Sequence, residues 1–554
     1  MARSGLVPAA VAALALAGCA APPAAQRAPA ASSVAAPASA GAALATAQQL
    51  HSPRLTAMVL LDQARDKHDA NQALLAALFA TEAGDYALAT QAAHFAHSLE
   101  PKHPEPFAIE VRIALDQGQI AAAREALAEA YALGGADAVQ LSLTGPIDPW
   151  FVLSVLQPLA KANPEDTKLQ LAYAQAALVA GSASEALRAA QAAGATGGAA
   201  AGTIEIQARW DLGQRQQAIA MLDRMLASAP HDVTLRLFAA GLLARANQTG
   251  RAREVLGDAR ALAPNNAHVA LAEAIVDMVA GEEQAARSRA TRMLEKGSDE
   301  AGVYNLLGNM AAAEEDWAEA FGWYQGITDS DFLASAQTGA VLALAQWKGL
   351  APALDYIKRL RDAFPALDPT WVGLDSAVLS QAGRTQDAYA VIADGAKRYP
   401  GVPPLRYQQA LLADQLGQGA TALQLLHELA GEEPENPDYL NAYGYTLTEH
   451  SRRYREAYGY IVRALTLAPD DGAILDSMGW VLFRMGEAKK ALPYLERAWE
   501  LTGDSDVANH LVQLYLALGN PAAAGKLLDD ALAKAPHDTA LLRLKQRMVK
   551  SATP

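Results

Sequence analysis

Residues Asn436 to Leu501 read NPDYLNAYGYTLTEHSRRYREAYGYIVRALTLAPDDGAILDSMGWVLFRMGEAKKALPYLERAWEL. The stretch is one unit written twice. A small residue sits in a first helix, Gly444 and then Gly479, and an Ala opens a second, Ala457 and then Ala491. Another Ala follows on the same face, Ala464 and then Ala498, and Pro469 ends the first unit. Gly or Ala lets two helices nearly touch, Gly permits a left-handed turn, and Pro stops the second helix. A helix–turn–helix of about 34 residues cannot bury its apolar face alone, so it stacks on copies of itself.

The same phase recurs in both directions. Upstream it appears as Gly84, Ala89 and Pro101, then as Gly118, Ala123 and Ala130. It returns with Gly181 and Ala186, Gly213 with Ala218 and Pro230, Ala252 with Pro264, Gly281 with Ala286, and Gly308 with Ala320. Ala353 with Pro365, Gly383 with Pro400, and Gly417 with Pro434 lead to the opening pair, and Gly519, Ala524, Ala531 and Pro536 close the series. This is the pattern of a tetratricopeptide repeat, and about thirteen copies predict an all-α superhelix, an α-solenoid. The regular repeats are expected over residues 70–135 and 167–550. Between them, over 136–166, Gly145-Pro146 and Pro149 break the phase and one apolar helix follows, from Trp150 to Ala162. That insert reads as a degenerate repeat or a bend. Residues 46–69, with Leu55, Met58, Val59, Leu61 and Ala64 on one face, read as a capping helix or a docking helix for a partner.

Composition narrows the function. The 554 residues are 51 % hydrophobic but only 6 % aromatic, and the formal net charge is −15. Such a charge repels nucleic acid and anionic lipid as non-specific partners. The one cysteine, Cys19, excludes an internal disulfide framework or a cysteine zinc site.

Cys19 ends a signal-like segment. Residues 1–18 carry Arg3 and an apolar run from Leu6 to Ala17, too short to span a bilayer, as expected of a secretory signal peptide. Leu16-Ala17-Gly18-Cys19 resembles the lipobox of bacterial lipoproteins, which implies lipidation of Cys19 and a membrane anchor without a transmembrane helix. Ala20 follows, which by resemblance to lipoprotein sorting in Gram-negative cells implies the outer membrane and a body facing the periplasm. The Ala/Pro-rich remainder of 19–45 reads as a disordered tether.

Enzyme chemistry finds little foothold. Gly519-Asn-Pro-Ala-Ala-Ala-Gly525-Lys526-Leu527 is one residue too long for a phosphate-binding loop and puts Leu where Ser or Thr would hold Mg²⁺. His94 and His97 share a helix face, with His103 beyond, but lack the further ligands a metal needs. There is no G-x-S-x-G and no H-E-x-x-H motif. The reading is therefore non-catalytic, with no cofactor and no metal.

A partner is expected on the first helices, which line the concave face of such a superhelix. In the opening stretch the row there is Asn441, Tyr445, Asp476, Trp480, Phe483 and Arg484, continued by Asn509 and Gln513. Aromatics beside Arg are the residue types that dominate binding energy at interfaces. The other reading has Trp480 and Phe483 packed between helices as core. Lys is missing from the row, so it does not match the two-Lys carboxylate clamp of chaperone-binding tetratricopeptide domains. The turn Glu449–Arg453 carries one residue more than its counterpart, and His450, Arg452 and Arg453 make it basic.

Leu440-Asn-Ala-Tyr-Gly-Tyr-Thr-Leu447 and Ala473-Ile-Leu-Asp-Ser-Met-Gly-Trp-Val-Leu-Phe-Arg484, behind a lipobox, resemble proteobacterial outer-membrane tetratricopeptide lipoproteins. The type most similar is the lipoprotein partner of a periplasmic carboxyl-terminal processing protease. That resemblance implies an adaptor that presents peptidoglycan hydrolases to the protease and activates it. The alternative is a scaffold for an envelope assembly or export machine handling lipopolysaccharide, pilus or exopolysaccharide.

Overall fold

The computed structural model describes residues 52–297, 300–328, 332–536 and 538–552; Cys19, the signal-like segment and the tether lie outside the described residues. Among the described residues there are twenty-nine α-helices, two 3-10 turns and no β-strand. Twenty-six of the helices form thirteen antiparallel pairs, from Ala70–Glu82 with Tyr86–Leu99 to Ser505–Ala517 with Pro521–Lys534. Three stand alone: Pro53–Lys67 in front, Pro149–Ala162 in the insert, and Thr539–Ala552 at the end. First helices of neighbouring pairs touch, as Pro437–His450 does Gly472–Arg484, and so form one continuous inner wall.

The small residues act where spacing places them. A Cβ added to Gly444 would lie 2.6 Å from Ile461 Cγ1 and 3.0 Å from the Ala457 carbonyl oxygen. On Gly479 it would lie 2.5 Å from Leu495 Cγ and 3.1 Å from the Ala491 carbonyl oxygen. Several inner helices start on acidic or amide caps that no periodicity argument needs. Asp232 accepts from Leu235 N–H at 2.9 Å and Asp471 from Ile474 N–H at 2.9 Å, each satisfying an orphan donor.

In the insert, helix Ile120–Ser142 breaks at Gly135, whose φ is 63°. The chain then turns through Gly145 into Asp148, which caps Pro149–Ala162. What spacing left open is the role of this insert: it ties one superhelical turn to the next. The Asp148 N–H donates to the Ala366 carbonyl at 2.9 Å, and Thr370 Oγ1 donates to Asp148 Oδ2 at 2.7 Å. Phe151 meets Tyr399 edge to face with centroids 5.6 Å apart. Further along this seam, Arg188 pairs with Glu435 at 3.0 Å and Gln214 Nε2 donates to the Leu467 carbonyl at 3.0 Å. One apolar cluster accordingly runs from Val111–Ala208 into Ala366–Leu412. Partners some 220 to 250 positions apart in sequence thus close the solenoid onto itself. Asp148 is fully enclosed; burial pushes its carboxyl above the usual range, while Thr370 and the Trp150 and Phe151 amides pull it back.

Candidate functional site

The inner wall of the last four repeats carries the expected row, and the structure divides it. Asp476 and Trp480, expected to be open to the groove, are buried, at 7 % exposure each. The reason is His510, one repeat on. Its ring stacks on the Trp480 indole with centroids 4.1 Å and planes 16° apart. Its Nδ1 lies 2.9 Å from Asp476 Oδ2, and a carboxylate only accepts, so Nδ1 carries the proton. Trp480 Nε1 donates to Glu449 Oε1 at 2.8 Å, and Arg484 donates to the same oxygen at 2.9 Å. Arg484 also lies over the rings of Trp480 and Tyr454, 5.6 and 5.4 Å from their centroids. This is a polar network between three inner helices, buried at Asp476, Trp480 and His510 and opening to solvent at Glu449.

The remaining row is half-open. Tyr445 sits at the edge of the network, 6.2 Å from the His510 ring. Phe483 lies against Trp480 at 5.5 Å. Gln513 Nε2 donates to Asn509 Oδ1 at 3.3 Å. Asn441 is half-buried, and its inward Oδ1 is out of solvent with no hydrogen-bond partner. Residues that the sequence reading passed over stand on the same series of inner helices: Tyr407, Asp414 and Leu411, 39 % exposed, on Pro403–Gln415, Asp438 on Pro437–His450, and Leu516, 37 % exposed, on Ser505–Ala517.

The wall is electronegative. Burial, with Glu449, Asp476, Asp506 and Asp414 nearby, pushes the Tyr445 hydroxyl well above its ordinary pKa, and Asp438 and Asp471 add to the same effect on Tyr407. Asp438 is raised by burial and then by Asp471. Asp506 is raised by burial and by Asp504, with His510 opposing. Earlier acids on the inner wall are neutralised within the chain: Glu273 and Asp277 pair with Arg260, Arg253 and Arg289, and Asp211 with Arg245. No group of three or more His, Cys, Asp or Glu among the described residues is arranged to hold a metal. His94 instead pairs with Glu110 at 3.2 Å, and His97 packs on Phe107 at 4.9 Å.

Comparison with known proteins finds tetratricopeptide repeats over parts of the chain. A tetratricopeptide-repeat family model matches residues 209–276 and 482–548. A TPR repeat-containing protein of Pseudomonas aeruginosa is 34 % identical over 208 residues, covering 37 % of this chain and 35 % of that protein. The chain thus matches about a third of that relative's length. Among solved structures, a thermophilic TPR protein of Thermus thermophilus is 23 % identical, over 33 % of this chain and 97 % of that one, with a TM-score of 0.30. The APC/C hetero-tetramer Cut9–Hcn1 is 13 % identical, over 92 % of this chain and 95 % of that one, with a TM-score of 0.34. Tetratricopeptide repeats are scaffolds for protein–protein interaction. By its paired helices this chain has the fold of a tetratricopeptide-repeat solenoid, and over part of its length it is similar to a bacterial TPR repeat-containing protein.

Proposed function

We propose that the chain is a non-catalytic adaptor, held by lipid on Cys19 at the outer membrane and facing the periplasm, that cradles a protein client against its inner wall. The client is a peptidoglycan hydrolase, and the adaptor presents it to a carboxyl-terminal processing protease that it activates. The observation carrying the scaffold reading is the long inner wall, half-open over the last repeats and backed by a fixed polar network. A wall held rigid before binding loses little free energy to ordering when a partner arrives. The membrane and protease parts rest on Leu16-Ala17-Gly18-Cys19 and on the resemblance carried by residues 440–447 and 473–484.

Deleting the protein should raise the steady-state level of at least one cell-wall hydrolase, measured by quantitative proteomics of the envelope. Unchanged levels of every such hydrolase would end the protease-adaptor reading. Cys19→Ser should move the protein from the membrane to the soluble periplasmic fraction; retention in the outer membrane would contradict the anchor.

A further inference from the structure

The seam between the two superhelical turns has unlike ends. At the insert it is dry: Asp148 is buried, and Phe151, Ala366 and Val402 share one buried apolar cluster that spans both turns. Farther along the chain it is wet. Arg188, on helix Ala183–Ala193, meets Glu435 at 3.0 Å with more than half of each side chain in solvent. Beyond that pair, Gln214 donates one hydrogen bond to the Leu467 carbonyl. Polar contacts of this kind hold weakly, because water competes for both partners.

The wet end also carries one carboxylate too many. Arg188 is shared, since it donates to Glu185 at 2.6 Å as well as pairing with Glu435. The Tyr173 hydroxyl donates to the other Glu185 oxygen at 2.7 Å. Arg406, on helix Pro403–Gln415, pairs with Glu432. Glu433 accepts from the Asn436 amide at 3.0 Å, while both of these arginines are engaged by other carboxylates. The groups that face Glu433 are Glu185 from across the seam, Glu432 and Arg406 from its own side, and the buried Tyr439 phenol. Burial, and then Glu185 and Glu432, push its carboxyl above the usual range against the pull of Asn436 and Arg406.

Repeats of a solenoid touch only their neighbours, so small rotations shared among the intervening repeats change the separation of its turns. We infer that the seam is a gate, hinged at Asp148 and Thr370 and opening between Arg188 and Glu435, which closes when Glu433 takes up a proton. Opening returns Glu433 to water and away from Glu185, so the closed form holds that proton more tightly than the open form does. The open form therefore gains as the pH rises, and the closed form gains as it falls toward the ordinary carboxyl value of 4.5. That the gate admits a client to the groove rests on the adaptor reading. The motion itself does not, and it is tested without a client.

The test uses the full chain in a Cys19→Ser background, with pairs of spin labels read by double electron–electron resonance. Gln191→Cys and Gly431→Cys place labels on helices Ala183–Ala193 and Gly419–Glu432, on the two sides of the wet end. Gln191 is exposed, and a Cβ on Gly431 meets nothing within 4 Å. Lys161→Cys and Lys397→Cys, both exposed, place labels on Pro149–Ala162 and Thr385–Arg398 at the dry end. On raising the pH from about 5 to about 8, the longer-distance population of the first pair should grow about threefold or more, as release of one proton on opening allows. The second pair should not change. Glu433→Gln should hold the first pair at its low-pH distribution throughout, and Glu185→Gln should shrink the pH response. A first pair indifferent to pH, or a response that Glu433→Gln leaves intact, would overturn the gate. So would equal widening of both pairs, which would show the turns parting without a hinge. If the labels behave as expected while deletion leaves every hydrolase unchanged, the gate stands and only the protease assignment falls.

Discussion

The His510 ring lies flat on the Trp480 indole, 4.1 Å between centroids, while its Nδ1–H donates to the Asp476 carboxylate at 2.9 Å. Two residues that read as binding determinants are therefore also a structural joint between consecutive inner helices. Trp480→Ala removes a nearly buried ring, unstacks His510 and leaves Glu449 short of a donor. It should cost about 3–5 kcal/mol in urea unfolding. Tyr445→Phe, at the edge of the network, should cost less than about 1 kcal/mol. A Trp480→Ala protein as stable as wild type would show that the joint does not form.

The glycines offer a sharper contrast. Gly479→Ala puts a methyl 2.5 Å from Leu495 Cγ and 3.1 Å from a backbone carbonyl. It should destabilise by about 1–3 kcal/mol, as overpacking does. Gly525→Ala, in helix Pro521–Lys534 with nothing within 4 Å, should stabilise by about 0.4–1 kcal/mol through the unfolded chain. Thermal melts of the two variants should move in opposite directions.

At the seam, Thr370→Val deletes the hydroxyl that donates to the enclosed Asp148 carboxylate at 2.7 Å. Loss of a hydrogen bond to a buried charge should cost about 1.5–3 kcal/mol. Breaking the Arg188–Glu435 pair, which is half-exposed on both sides, should cost under about 1 kcal/mol. Hydrogen exchange of helix Pro149–Ala162 should quicken in the first variant and change little in the second.

Glu433 supplies a pH signature. Burial raises its carboxyl, and Glu185 from the neighbouring turn and Glu432 raise it further, while Asn436 and Arg406 oppose. A carboxyl whose folded pKa exceeds its unfolded one costs stability in the charged form. That cost is fully present above the folded pKa and fades as pH falls toward the ordinary value of 4.5. Glu433→Gln keeps an oxygen to accept from Asn436 and should therefore raise Tm at neutral pH, with the gain shrinking as the pH approaches 4.5. A gain independent of pH would remove Glu433 as its source.

The repeat was legible because its rule is local. Gly444 and Gly479 face their own second helix only 13 and 12 positions on, at Ala457 and Ala491, and that contact recurs in phase. The seam was not, since Asp148 and Thr370 are 222 positions apart and neither belongs to the repeat pattern. The site was half legible. Register placed Asp476 and Trp480 on the inner wall, but their burial depends on His510, whose ring comes from the next repeat.

Whether a protein client lies against the inner wall of the last repeats can be read by site-specific photo-crosslinking in cells. A photoreactive amino acid replaces Leu411, 39 % exposed on the inner wall, or Tyr458, 37 % exposed on the second helix of the next repeat. A discrete crosslinked client is expected from position 411 and none from position 458. A client captured from 458 and not from 411 would place the binding surface outside the groove and overturn the client-cradling role of the wall.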